Sequence, residues 1–163
     1  MIKQILYTIL VVLIGIAVGV LIYFFYPQVE EQAETMTIRV FFSNRYEDPD
    51  ALYCDKVYFA EREIEKTQAP IYGSLKEILK GPNETEREGG FFTNINEGVA
   101  IQSFNIKNGI VEINFNEKLE EGVAGSCRVQ AIRAQITETL KQFPEIDDVI
   151  IAINNETENI LQP

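Results

Sequence analysis

The stretch Phe104-Asn105-Ile106-Lys107-Asn108-Gly109-Ile110-Val111-Glu112-Ile113-Asn114-Phe115 decides the fold. Asn-Gly supplies the two positive-φ residues of a type I′ turn, so the segment reads as a tight antiparallel hairpin. After the turn, Val111, Ile113 and Phe115 point one way and Glu112, Asn114 and Asn116 the other. That alternation describes a sheet with one buried and one wet face. Downstream, Ser126 is the expected N-cap of a long helix after Gly125. Val129, Ile132, Ile136, Leu140 and Phe143 recur at helical spacing, and Pro144 stops the run. Asp148 to Asn154 is apolar on both faces and is expected to be a strand central in the sheet.

Upstream, Thr37 to Phe42 alternates with branched and aromatic residues and predicts a strand. Lys56 to Arg62 predicts a second. A helix follows from Thr67 or Pro70, with Tyr72, Leu75, Ile78 and Leu79 on one face. Gly81-Pro82 ends it, since glycine adopts left-handed geometry and proline cannot continue a helix. Asn83 to Glu88 predicts one capped turn before Gly89-Gly90. The order is ββαββαβ. The expected fold is α+β: a mixed sheet of about five strands with two helices packed on one face.

Ahead of this body lies an uncharged run from Ile5 to Tyr26, about 33 Å long as a helix, the thickness of a bilayer's hydrocarbon core. It is too long for the apolar region of a cleaved signal peptide and ends in the aromatic cluster Tyr23-Phe24-Phe25-Tyr26, which suits a headgroup boundary. The expected organisation is a cytoplasmic stub (1–4), a transmembrane helix (5–26), an acidic tether (27–35) and an extracytoplasmic domain (36–163). Lys3 precedes the run while Glu30, Glu31 and Glu34 follow it. The N-terminus is therefore expected in the cytoplasm and the rest outside the cell or inner membrane. Gly15 and Gly19 form a GxxxG, which makes a homo-oligomer a candidate assembly.

Composition narrows the chemistry. The 163 residues carry a net charge of −11 with pI near 4.5, which disfavours nucleic acid as a partner. Histidine is absent, removing the commonest general base and metal ligand. No catalytic, cofactor or metal residue is assigned. Glu47, Asp48, Asp50 and Asp55 crowd one loop without the regular ligand spacing of a calcium site and read as a solvated turn. Glu61, Glu63 and Glu65 alternate at a strand end, facing water and discouraging edge pairing. Glu84, Glu86 and Glu88 suit the dipole of a short helix. Cys54 and Cys127 form a disulfide if the domain is exported; two buried thiols are the alternative.

Several of these residues together resemble the sporulation and spore germination domain, GerMN. They are Gly81-Pro82-Asn83-Glu84-Thr85-Glu86, Ile95-Asn96-Glu97-Gly98-Val99, the Asn108-Gly109 hairpin, Gly125-Ser126, and Gln135 to Pro144 followed by Val149. Within the last stretch Gln135, Thr139, Leu140, Phe143 and Pro144 carry the likeness, and Arg62 stands where the family often has an arginine after the second strand. The similarity runs from about Ile38 to Ile153 and implies a single copy, where the sporulation member has tandem copies. It implies envelope proteins held by a lipid or membrane anchor, without enzymatic activity. The best-understood members of that family help assemble trans-envelope complexes during sporulation, and the resemblance implies a fold similar to the ring-building modules of secretion systems.

The function expected is a non-enzymatic, membrane-anchored extracytoplasmic interaction or assembly module of the bacterial envelope, sporulation-related, with envelope proteins as partners and no cofactor. Its binding surface is expected on the uncovered sheet face or an unpaired edge strand. The alternative is a receptor for a small molecule or cell-wall glycan, using a pocket near Gly125-Ser126.

Overall fold

The computed structural model describes residues 1–25 and 34–162. Tyr26 and the expected tether, apart from Glu34 and Thr35, lie outside the described residues. The chain divides into two compact units, Met1–Ala33 and Glu34–Pro163. In the first, α1 (Ile2–Phe25) is a 24-residue apolar helix without a buried residue. At about 1.5 Å per residue it is about 36 Å long, enough to cross a bilayer.

The second unit is α+β, with elements β1 (Thr35–Asn44), β2 (Tyr58–Glu65), α2 (Pro70–Leu79), α3 (Glu84–Glu88), β3 (Phe91–Phe92), β4 (Ile101–Lys107), β5 (Ile110–Phe115), α4 (Ser126–Lys141) and β6 (Asp148–Ile153). The strands do not form the single five-stranded sheet expected from their order. They form two three-stranded sheets, β2-β1-β3 and β4-β5-β6. The first is antiparallel. In the second, β4 and β5 are antiparallel and β6 joins β5 in parallel. The division follows from β3, two residues that pair with Ser43 and Asn44 and leave most of that side of β1 to α4. Hydrophobic alternation marks which face is buried but carries no information about which strand pairs with which.

Helices α2 and α4 pack on each other and on β1, and α4 also reaches β6. One continuous core results, in which Val40, Phe42, Leu75, Ile78, Val111, Phe115, Ile132, Ile136 and Leu140 lose all solvent exposure. The α4 stripe and hairpin turn take the expected form, with Asn108 at φ 50° and Gly109 at φ 77°. In β5, Val111, Ile113 and Phe115 are buried as expected, but Asn114 on the face expected to be wet is buried too, its amide nitrogen donating to Gln102 and Asn155 at 2.8 and 3.1 Å.

Three further local expectations need correction. Ser126 does not cap α4: the N-cap is Gly125, at φ 86°, a conformation that disfavours any side chain, and Ser126 is the first helical residue. In α2 the buried set is Ile71, Ser74, Leu75 and Ile78; Tyr72 lies on the flank, its ring 5.3 Å from that of Phe104. Strand β6 is terminal in its sheet rather than central. At its C-terminal end the chain turns back on it: Ile153 exchanges backbone hydrogen bonds with Glu156 at 2.9 Å, and beyond that turn Ile160 and Leu161 are buried in the core.

Candidate functional site

Arg62 leaves β2 on its inner face and is the hub of the buried polar structure. Its Nε donates to Glu86 Oε1 at 2.8 Å and its Nη2 to Glu86 Oε2 at 2.6 Å. Nη1 donates to the Glu77 carbonyl at 2.8 Å and Nη2 to the Gly81 carbonyl at 2.7 Å. One planar guanidinium thus closes the end of α2, holds the Gly81-Pro82 turn and anchors α3. Glu86 completes a capping box: Asn83 N–H donates to its carboxylate at 2.7 Å, while Asn83 Oδ1 accepts from Glu86 N–H at 2.9 Å.

Burial opposes ionisation of Glu86, but the bonds from Arg62 and Asn83 and the charges of Arg62 and Arg87 outweigh it. Its carboxyl is held below the usual carboxylate range. Burial likewise pulls Arg62 down, yet its bonds to Glu86 and Glu77 raise it overall. Both groups therefore stay charged, locked in a structural pair.

A second polar line runs along α4. Gln135, Thr139 and Gln142 occupy one helical stripe against the side of β1 that no strand fills. Thr139 Oγ1 accepts from Phe41 N–H at 3.1 Å, and Gln142 Oε1 accepts from Arg39 N–H at 2.8 Å. Gln142 Nε2 donates back to the Arg39 carbonyl at 2.6 Å. Gln135 bridges Thr93 Oγ1 and Ser43 Oγ, at 3.1 and 3.3 Å. The helix side chains do for β1 what a neighbouring backbone would otherwise do.

The other family-like residues serve local geometry. Gly98, at φ 80°, offers its carbonyl to Asn116 Nδ2 at 3.0 Å. Gly109 abuts the α4–β6 connection, its carbonyl accepting from Asp147 N–H at 2.8 Å. Leu140 is fully buried and Phe143 half-buried beside it, with Pro144 just past the helix.

Cys54 and Cys127 are bonded to each other, tying the β1–β2 loop to the first turn of α4 across a sequence separation of 73. Beside the bridge lies a cleft of about 250 Å³, lined by Ser43, Asn44, Asp48, Lys56 and Arg128 among others. This is the place expected for a pocket near Gly125-Ser126. Asn44, Asp48 and Arg128 are engaged with the protein itself, while the Lys56 ammonium lies over the rings of Tyr53 and Tyr58. Asn44 binds the Gly89 carbonyl and the Tyr46 N–H at 3.0 and 2.8 Å. Asp48 accepts from the Leu52 and Tyr53 amides at 3.1 and 3.2 Å, and Arg128 donates to Asn96 at 2.6 Å.

The outer edge of β2 differs. Because Arg39 and Phe41 turn their N–H groups toward α4, their opposite residues Glu61 and Phe59 turn theirs away from β1. Glu63 continues the same register opposite Thr37. Among the described residues, no hydrogen bond satisfies the outward backbone groups of Phe59, Glu61 or Glu63. Sequence reasoning found the three glutamates and expected an unpaired edge strand without saying which strand it was, and it missed Glu86 as the partner of Arg62. A buried arginine in a strand and a capping-box glutamate were the signals that would have linked the last two.

A family model described as sporulation and spore germination, Germane, matches residues 22–159. Among solved structures, the tandem GerMN domains of the sporulation protein GerM from Bacillus subtilis align with TM-score 0.60 at 23% identity, over 81% of this chain and 43% of that one. The first GerMN domain of the same protein aligns with TM-score 0.52 at 16% identity, over 75% and 85%. The chain thus spans less than half the length of the tandem structure, and the likeness to both is one of fold. No curated protein matches it. By the span of the family match, the chain belongs to the Germane family of sporulation and spore germination domains.

Proposed function

We propose that this protein is a non-enzymatic interaction module of the bacterial envelope, related to sporulation, anchored by α1 with the domain from residue 36 onward outside the membrane. The observation that carries the reading is the outer edge of β2, a row of backbone donors and acceptors without a partner among the described residues, at the surface of a domain whose described buried polar side chains are all hydrogen-bonded. Two further features support it. The titratable side chains drawn furthest inside, Arg62 and Glu86, are committed to each other, which leaves no poised acid or base there. The apolar length of α1 and the charge step from Lys3 to the following glutamates favour a retained, outward-facing anchor.

Photo-crosslinking from exposed positions in living cells is expected to trap envelope proteins, and protease added to intact cells is expected to digest the domain. A domain protected from protease until the membrane is opened, or one that traps no envelope protein from any surface position, overturns the reading.

A further inference from the structure

We propose that the outer edge of β2 receives an extended segment of a partner protein in which lysine or arginine alternates with apolar residues, adding a fourth strand to the β2-β1-β3 sheet. This rests on the interaction-module reading above and assigns its surface. The residues that turn their backbone groups outward, Phe59, Glu61 and Glu63, are also those whose side chains stand on the sheet's outer face, because edge and face alternate with the same period of two. Any strand that pairs here therefore sets its outer-face residues directly against Phe59, Glu61, Glu63 and Glu65, about 4.5–5.5 Å away between Cβ atoms.

Charge selects the occupant. A second copy pairing through most of its own β2 sets glutamate against glutamate, Glu61 or Glu63 meeting itself or Glu61 meeting Glu63, so the fully overlapped edge repels itself. A strand with cations at alternate positions meets three carboxylates in a row, with Phe59 beside them. Phe59 already takes one cation, the Arg39 guanidinium lying 4.7 Å from its ring centroid.

There is room for the strand. Two adjoining hollows of about 520 and 550 Å³ follow this edge and share Glu63, Glu77 and Lys80. Their inner wall joins Ile64 of β2 to the flank and end of α2, where Tyr72 and the stems of Lys76 and Lys80 favour apolar side chains and disfavour a second set of cations.

The test uses the full-length chain in an uncharged detergent and a fluorescein-labelled octapeptide alternating lysine and valine. The peptide is expected to bind, and one alternating glutamate and valine is not. With the native protein, N-methylation of either the lysine or the valine amides is expected to weaken binding about tenfold or more, because one set faces the edge. The double variant E61K/E63K is expected to lose about as much. Equal binding of both N-methylated peptides, indifference to charge reversal, or no binding of the lysine peptide overturns the proposal.

In cells, a photo-crosslinker at Glu63 should trap a segment of that alternating pattern. Adducts from exposed Glu138 alone, or from Glu63 onto a segment lacking the pattern, overturn the edge assignment while the interaction module stands. No adduct from any position removes both.

Discussion

Arg62 and Glu86 form a two-point ion pair, at 2.8 and 2.6 Å, with side chains about nine-tenths buried. The pair joins β2 to a five-residue helix 24 positions later in the chain. Removing one partner of such a pair leaves the other charged and unsolvated. The variant R62A is expected to destabilise the domain by about 3–5 kcal/mol, measured by urea unfolding. R62K is expected to recover only part of the loss, since an ammonium cannot hold both carboxylate oxygens and the Glu77 and Gly81 carbonyls in one plane.

The same pair sets a pH dependence. The folded Glu86 carboxyl titrates below its ordinary value of 4.5. Its stabilisation is thus fully present above about 4.5 and is lost as pH falls through the lower folded value. Thermal unfolding from pH 7 to pH 2 should show the native protein losing stability in that acid window. The E86Q variant, weaker at neutral pH, should lose less there, so the two curves converge. A constant gap between them down to pH 2 counts against this assignment.

The helix-to-edge contact has a site-specific readout. In T139V and Q142A the Phe41 and Arg39 amides respectively lose their acceptors, at an expected cost of about 1–2 kcal/mol each. Hydrogen exchange should speed up at Phe41 in the first variant and at Arg39 in the second, with β5 amides unaffected beyond the global change.

Gly109 is constrained twice. Its φ is 77°, and a Cβ there would stand 2.2 Å from Asp147 Oδ2. The variant G109A is expected to lose about 1–3 kcal/mol for the backbone conformation alone. Adding D147A should return the part due to the clash and leave the conformational part, a separation that calorimetric melting of the two variants can read.

The Cys54–Cys127 bridge closes a long loop, for which chain-entropy arguments give about 4 kcal/mol of stabilisation. The variant C54S/C127S should melt well below the native protein, and reductant should lower the native melting temperature while leaving the variant's unchanged.

What the sequence by itself determined is local. Asn108-Gly109 specifies its turn because two consecutive positive-φ positions admit few other residues. The apolar spacing of α4 specifies a helix and its buried stripe, Gly81-Pro82 specifies where α2 stops, and the uncharged leader specifies a helix long enough for a bilayer. Each depends on neighbours within a few positions. The tertiary structure decided the rest: two sheets in place of one, β6 at a sheet's end, Glu86 buried against Arg62, and Gln142 hydrogen-bonded to the backbone of Arg39. These contacts join residues tens to a hundred positions apart, and many partners satisfy the same alternation of apolar and polar side chains. Only packing the whole chain at once chooses among them, and that choice also left the edge of β2 open.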